Sequence, residues 1–377
     1  MARLGDYIEQ IRGVSYKPED VCTAQDKDAV AILRANNIQD DGLNFDDLVY
    51  VKKSKVSAIQ YIKAGDIVVC ASSGSKNLVG KAAIATEDMD FSFGAFCKVV
   101  RPRKLLPSYV GHYFQSPKYR NKISELAGGA NINNIRNEHI DELDIVVPNT
   151  DEQERISIEL NKICYLISLR KQQLAKLDEL VKSRFIELFG DGRDGKTPVR
   201  MLGGICKFQQ GTQIPVDEQF EEQKSGYKRF LRIIDYTQAP QPPRFVNVNG
   251  KEVDEKSVVI VRYGATAGFV GRGYQGILAN NLFEIMPDET ILSKDFLFLA
   301  LKYGTFEKEV HDKAFGAAMP ALSFSMMNDI PVVVPMTEQQ QQFVSFVEQT
   351  DKSKFEIQQS LEKLETLKKA LMQKYFG

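Results

Sequence analysis

The sequence is short of most of what catalysis, metal binding or export would need. Tryptophan is absent, histidine occurs three times and cysteine five times in 377 residues. Cys22, Cys70, Cys97, Cys164 and Cys206 are scattered and never spaced as Cys-x-x-Cys. That argues against a zinc site or a disulfide framework and suits a reducing cytosol. His112, His139 and His311 lie far apart and offer no His-Glu-x-x-His spacing, so structural or solvent-facing roles are expected for them. No apolar run approaches the roughly 20 residues of a membrane span, and the opening residues carry no apolar signal region, so a cytoplasmic protein with no membrane partner is expected. A net charge of −1 excludes a protein-wide basic field, and any nucleic-acid contact must come from local patches.

Catalytic signatures are missing as well. The segment Gly74-Ser-Lys-Asn-Leu-Val-Gly80-Lys81-Ala82 has one residue too many for a phosphate-binding loop and lacks the following Ser or Thr. Gly264-Ala-Thr-Ala-Gly268 has no lysine and reads as a turn. The only Pro-Pro, Pro242-Pro243, does not fit the Asn/Asp-Pro-Pro-aromatic motif of an amino-methyltransferase. Asp217, Glu222 and Lys224 are the types that could hold a metal and activate water, but they sit in a charged run without a strand pattern to converge them. No catalytic residue, cofactor site or metal site is expected in this chain.

What is present is a duplication. The length allows two or three domains with proper cores. Shifted by 187 residues, the chain aligns with itself from Val146 to Gly190 without a gap, giving 13 identities in 45 positions. Val146-Val147-Pro148 falls on Val333-Val334-Pro335, and Phe189-Gly190 on Phe376-Gly377. The chain therefore reads as two globular segments, each followed by a helix. Thr150-Asp-Glu-Gln153 and Thr337-Glu-Gln-Gln340 read as capping boxes opening these helices. Apolar residues then recur at steps of four and three, at Ile156, Leu160, Ile163, Ile167, Leu174, Leu177, Val181 and Leu188, and at Phe343, Val347, Ile357, Leu361, Leu364 and Leu371. That is a heptad seam. A helix about 57 Å long cannot bury such a stripe alone, so the two copies are expected to pair antiparallel, with packing on the preceding globular half as the alternative.

The globular halves mix strand and helix signals. Gly65–Cys70 and Ser257–Val261 read as strands, each followed by a Gly- and Ser/Thr-rich turn and then by a Val-Gly-basic step, Val79-Gly80-Lys81 and Val270-Gly271-Arg272. A short helix follows in each, opened by Ser108 or Asp295, with Tyr109, Val110, Tyr113 and Phe114, or Phe296, Leu297, Leu299, Ala300 and Leu301, as core. Glycine-containing loops come next, Gly128-Gly129-Ala130 and Gly316-Ala317-Ala318, and Gly190 to Pro198 is a turn-rich linker.

This order of motifs resembles the DNA-specificity subunits of type I restriction–modification systems across essentially the whole chain. Gly65-Asp-Ile-Val with its Gly-Ser turn, the twice-written Val-Val-Pro-x-Thr step into a helix, Leu202-Gly-Gly with Gly211-Thr212 and Pro215, and Leu231-Arg-Ile-Ile-Asp235 carry the likeness. The usual Pro-Pro is Pro148-Asn149 and Pro335-Met336 here, and the usual Glu-Gln is Gln339-Gln340 in the second copy. The resemblance implies an α+β protein with target-recognition domains at 1–148 and 191–335 and long helices at 149–190 and 336–377. It implies a non-catalytic reader of a split, asymmetric double-stranded DNA site. The implied partners are two methyltransferase subunits, which carry S-adenosylmethionine, and restriction subunits, which use ATP and Mg.

Candidate DNA contacts are basic, amide and hydroxyl side chains in loops. In the first half they are Ser73, Ser75, Lys76 and Asn77, the basic run Lys98, Arg101, Arg103, Lys104, Lys118, Arg120 and Lys122, and Asn131, Asn133, Asn134 and Arg136. In the second half they are Gln209, Gln210, Thr212, Gln213, Lys228, Arg229, Arg232, Arg262, Tyr263, Thr266 and Arg272. For each, the competing expectation is a solvated charge or a turn cap.

Overall fold

The computed structural model describes residues 1–75, 77–126, 133–190, 195–238, 241–314 and 321–377. The expected loops at 128–130 and 316–318, and candidates Lys76 and Asn131, lie outside these residues. The chain forms two compact units, 1–173 with 357–377, and 174–356, so that each division falls inside a long helix.

Each unit contains two four-stranded sheets. In the first, the antiparallel sheet has the strands Ala82–Ile84, Ile67–Cys70, Cys97–Pro102 and Ile8–Arg12 in that order. The other sheet includes a parallel pair, Phe91–Phe93 beside Ala29–Leu33. The second unit repeats the plan. Val270–Gly271, Val258–Val261, Leu282–Pro287 and Cys206–Gln210 make the antiparallel sheet, and Lys228–Leu231 runs parallel to Gly276–Leu278 in the other. Ile67–Cys70 and Val258–Val261 are buried at every position, as expected for strands covered on both faces. Burial pushes the Cys70 thiol up to about 11 and the Cys97 thiol to about 12, which leaves both as inert core thiols.

The short helices Pro107–Gln115 and Lys294–Tyr303 bury the expected aromatic and aliphatic residues. Their starts differ from expectation. Pro107 occupies the first turn in the first copy, where its missing N–H costs nothing. In the second copy Ser293 rather than Asp295 caps the helix, accepting from Phe296 N.

The two long helices are Thr150–Phe189 and Thr337–Phe376, 40 residues each. Within both units the helical segments run antiparallel. In the first, Tyr375 donates to Glu159. In the second, Lys354 pairs with Asp178 at 2.6 Å and the Phe343 ring lies 5.5 Å from that of Phe185. The seam also docks on the globular parts: the helix starts touch the preceding half, as Phe343 does at 6.3 Å from Phe296, whereas the helix ends pack on the other half. The Phe376 ring sits 5.2 Å from Tyr109 and 5.9 Å from Tyr113, inside the first unit. Phe189, its counterpart, packs at 5.1 Å on Phe296 inside the second. Each long helix thus ends by plugging the core of the unit that it does not begin in. Leu188, expected on the seam, is 38% exposed, and Phe185 and Phe189 fill the stripe instead.

The expected capping boxes are not what opens these helices. Asn149 Oδ1 caps the first, accepting from Glu152 N at 2.9 Å. Gln153, 5% exposed, turns inward, accepts from Leu106 N and donates to Pro148 O. Gln340, 2% exposed, accepts from Ser293 N and donates to Ile291 O and Pro335 O. The helices begin in contact with the globular part, so these glutamines satisfy its orphaned backbone groups instead of their own cap.

Candidate nucleic-acid interface

One arrangement of backbone occurs in both units and positions most of the exposed polar candidates. In the first unit, the strand Ile67–Cys70 opens into residues 71–79, and Gly80 N closes this loop on Cys70 O at 2.9 Å. In the second, Val261 opens into 262–267 and Gly268 N closes on Val261 O at 2.9 Å. Gly80 and Gly268 have φ of +78° and +89°, and a Cβ on either would come within 2.6 Å of Ile123 or Val310. Both positions therefore require glycine. Gly80 thus corresponds to Gly268 and not, as the shared Val-Gly-basic step suggested, to Gly271. The sheet register agrees, since Ala83 faces Val68 where Gly271 faces Val259. The first loop is the longer, and this displaced the similarity of the two Val-Gly steps.

Two further segments are bonded to the base of each loop. Ala71 N and Ser72 N donate to Phe96 O at 2.8 and 3.0 Å, and Ile135 N donates to Ala71 O at 2.8 Å. Ser72–Ser73 also pairs with Asn133–Asn134. In the second unit Arg262 N donates to Asn281 O at 2.9 Å, Leu322 N donates to Arg262 O at 3.0 Å, and Tyr263 bridges Ala321. Three segments distant in sequence are thus joined at one place, by equivalent bonds, in each half of the chain.

The joining brings together Ser73, Ser75, Asn77, Asn134 and Arg136 in the first unit. Ser75, Asn77, Asn134 and Arg136 are exposed. Ser73 Oγ accepts from Ser75 N, and Arg136 lies against the His139 ring nitrogen at 3.0 Å. Asn133 is placed by its backbone pairing with Ser73. Arg120 supports the loop, donating to Val79 O and Asn77 O.

The remaining basic run is not a patch. Lys98 is 6% exposed, donates to Gln10 Oε1 and Asn137 Oδ1, and is pushed down to about 8 by burial. Arg101 forms a bidentate pair with Asp66, at 2.7 Å to each oxygen. Arg103 pairs with Glu9, and Lys104 lies over the Tyr7 ring. Lys118 approaches Met1 Sδ at 3.8 Å, and Lys122 pairs with Glu125 at 3.7 Å.

In the second unit the site gathers Gln210, Gln213, Arg262 and Tyr263. Gln210 donates to Asn280 O, and Asn280 donates to Gln213 Oε1. The Arg262 guanidinium lies 4.8 Å from the Tyr263 ring and donates to Leu322 O. Thr266 is exposed in the loop and Gln209 on the adjoining strand. Thr212 Oγ1 accepts from Lys251 N and acts as a structural bridge. Lys228 pairs with Glu252, Arg229 and Arg232 share the buried Asp235, and Arg272 pairs with Asp295 at 2.9 Å. Phe96 and Asn280 belong to these clusters and were missed in the sequence. Each lies in a short turn between apolar strands, Gly94-Ala-Phe96 and Ala279-Asn-Asn281, which was the signal available. Among the described residues no group of His, Cys, Asp and Glu could hold a metal ion.

A family model described as the type I restriction modification DNA specificity domain matches residues 1–179 and again 196–369. The chain belongs to this family. It is 42% identical over 173 residues to the StySPI specificity subunit of Salmonella potsdam, and 40% identical over 187 residues to the EcoKI specificity subunit of Escherichia coli K12. Those stretches cover 46% and 49% of this chain but only 37% and 40% of the relatives, so the chain spans about two fifths of their length in each match. The solved S subunit of a type I restriction–modification system from M. genitalium shares the fold, with a TM-score of 0.60 and 17% identity over 100% of this chain and 95% of that one. No helix among the described residues is long and apolar enough to cross a membrane.

Proposed function

We propose that this chain is the sequence reader of a type I restriction–modification complex, each unit recognising one half of a split double-stranded DNA site. The observation that carries this reading is the three-segment joint, built twice on the same backbone bonds and dressed with different side chains. A protein that reads two different half-sites needs the same platform with unlike contacts. Base-edge contacts fall to Asn77, Asn134 and Arg136 in the first unit and to Gln210, Gln213, Arg262 and Thr266 in the second. Of the basic run, Lys104, Lys118 and Lys122 are held only by a ring, a thioether and an exposed carboxylate, and these three supply phosphate contacts, each adding about one unit to the salt slope. The long helices set the half-site spacing at roughly one DNA turn, about 34 Å, and offer surface to two methyltransferase subunits. Those subunits bring S-adenosylmethionine, and restriction subunits bring ATP- and Mg-dependent cleavage. The chain itself contributes no catalytic group.

The test is a map of methylated bases in cells that express a cognate methyltransferase subunit with and without this chain. A split motif with adenine methylated on both strands, appearing only with the chain, is the expected result. A stable complex with the methyltransferase but no chain-dependent methylation would replace this reading by a scaffold role.

A further inference from the structure

Phe96 is 68% exposed, although its neighbours Phe93 and Cys97 are at 0% and 2%. It occupies the turn Gly94–Cys97, closed by Cys97 N donating to Gly94 O at 2.8 Å. That turn is fixed from below. Gly94 bridges Val14, and a Cβ on Gly13 would lie 2.0 Å from Gly94 O. The Phe96 carbonyl in turn receives the N–H groups of Ala71 and Ser72, the first residues of the loop carrying Ser73, Ser75 and Asn77. A large apolar ring is therefore held in solvent by a rigid turn, at the base of a polar cluster otherwise made of hydroxyls, amides and Arg136. The equivalent residue of the second unit is Asn281, which is half-buried with its Oδ1 turned inside. There the exposed rings are carried by the loop itself, Tyr263 at 37% and Phe269 at 42%.

We propose that Phe96 is a stacking wedge, a specificity-determining residue that enters the base stack at one step of the half-site read by the first unit. The inference rests on the DNA-reading function proposed above. An apolar ring pressed between base pairs opens them most readily at weakly stacked pyrimidine–purine steps, so it selects sequence by the cost of deformation, without a hydrogen bond to any base. The polar side chains around it hold the flanking backbone and base edges, which keeps the ring aimed at one step.

The experiment selects bound sequences from a random DNA library with the full chain in complex with its methyltransferase subunits, for wild type, Phe96→Ala, Phe96→Asn and Phe96→Trp. The expected result is a split motif in which Ala and Asn lose the preference at one step of one half-site and bind at least tenfold more weakly, while the other half-site is unchanged and Trp retains both. Thymine at that step should gain permanganate reactivity on binding wild type and not Phe96→Ala. Because the ring is exposed, all variants should keep the wild-type melting temperature. A wild-type complex that selects a split motif which Phe96→Ala selects equally, with the same permanganate pattern, overturns the inference alone. A wild-type complex that selects no sequence removes the parent function and the inference with it.

Discussion

The loops at 71–79 and 262–267 share a skeleton and little else. Ala71, Ser72, Phe96 and Asn134 in the first unit correspond to Arg262, Tyr263, Asn281 and Ala321 in the second, and none of the four pairs is alike. The bonds that join the segments run backbone to backbone, so they hold whatever the side chains are. Conformation constrains the closing glycines, Gly80 and Gly268, and in the second loop Gly264, whose φ is +87°. This separates two demands that usually conflict. Placement is encoded in strand register and glycine, which leaves the exposed side chains free to diverge without loss of the platform.

The two units should respond most differently to changes at the helix ends. Phe376→Ala should cost about 3–5 kcal/mol and loosen the first unit, whereas Phe189→Ala should do the same to the second. Hydrogen exchange resolved by segment would show it, and equal protection loss in both units for either variant would contradict the separate plugging of each core. Acid should distinguish the units next. His112 Nε2 lies 2.7 Å from Asn161 Oδ1, and burial, aided by Lys368, pushes the imidazole down from 6.5 to about 4. Its unfolded form binds the proton first, so stability declines as pH falls from about 6.5 towards 4, by at most about 3 kcal/mol. At the aligned position the second unit has the buried Leu299 and no such group. The first unit should therefore lose exchange protection earlier on acidification, and His112→Gln should remove most of the difference, the rest belonging to His139, which burial also holds below its ordinary value.

Smaller differences between the units are expected at single side chains. Gln340 makes three hydrogen bonds to the globular part and helix entrance where Gln153 makes two. Replacing either by Ala should cost about 1–3 kcal/mol, with Gln340→Ala the worse in urea denaturation. Arg262→Ala should relax base preference in one half-site only, by about 1–3 kcal/mol, measured by competition between matched and mismatched duplexes. Lys122→Ala should leave stability within about 0.5 kcal/mol and lower the salt slope of binding by about one unit for every sequence alike.

Legibility followed the range of the interaction. The duplication, the long helices and their seam are written in local periodicity, and the core residues of the short helices came with it. The start of the first long helix was misassigned by one residue because Asn149 and Thr150 are both good caps, and only the contact of Gln153 with Leu106 shows which way the first turn faces. The basic run looked like a patch because sequence does not show that Asp66 lies against Arg101, or that Lys98 faces Asn137. The loop joint was invisible for the same reason. It depends on pairing between residues 71–73 and 133–135, and on a turn at Phe96 that only the sheet register places beside them.

The crossed helix ends also govern when the protein can become stable. Tyr109 and Tyr113 leave the ribosome more than 250 residues ahead of their ring partner, Phe376. At about 5–20 residues per second, the first unit waits roughly ten to fifty seconds after its own globular part is made before its core can close. The second unit, whose plug Phe189 is synthesised before its strands, waits only for Phe343, which packs on Phe185 and Phe189 and precedes Phe376 in the chain. The nascent chain therefore completes its halves in the reverse of the order in which they are written.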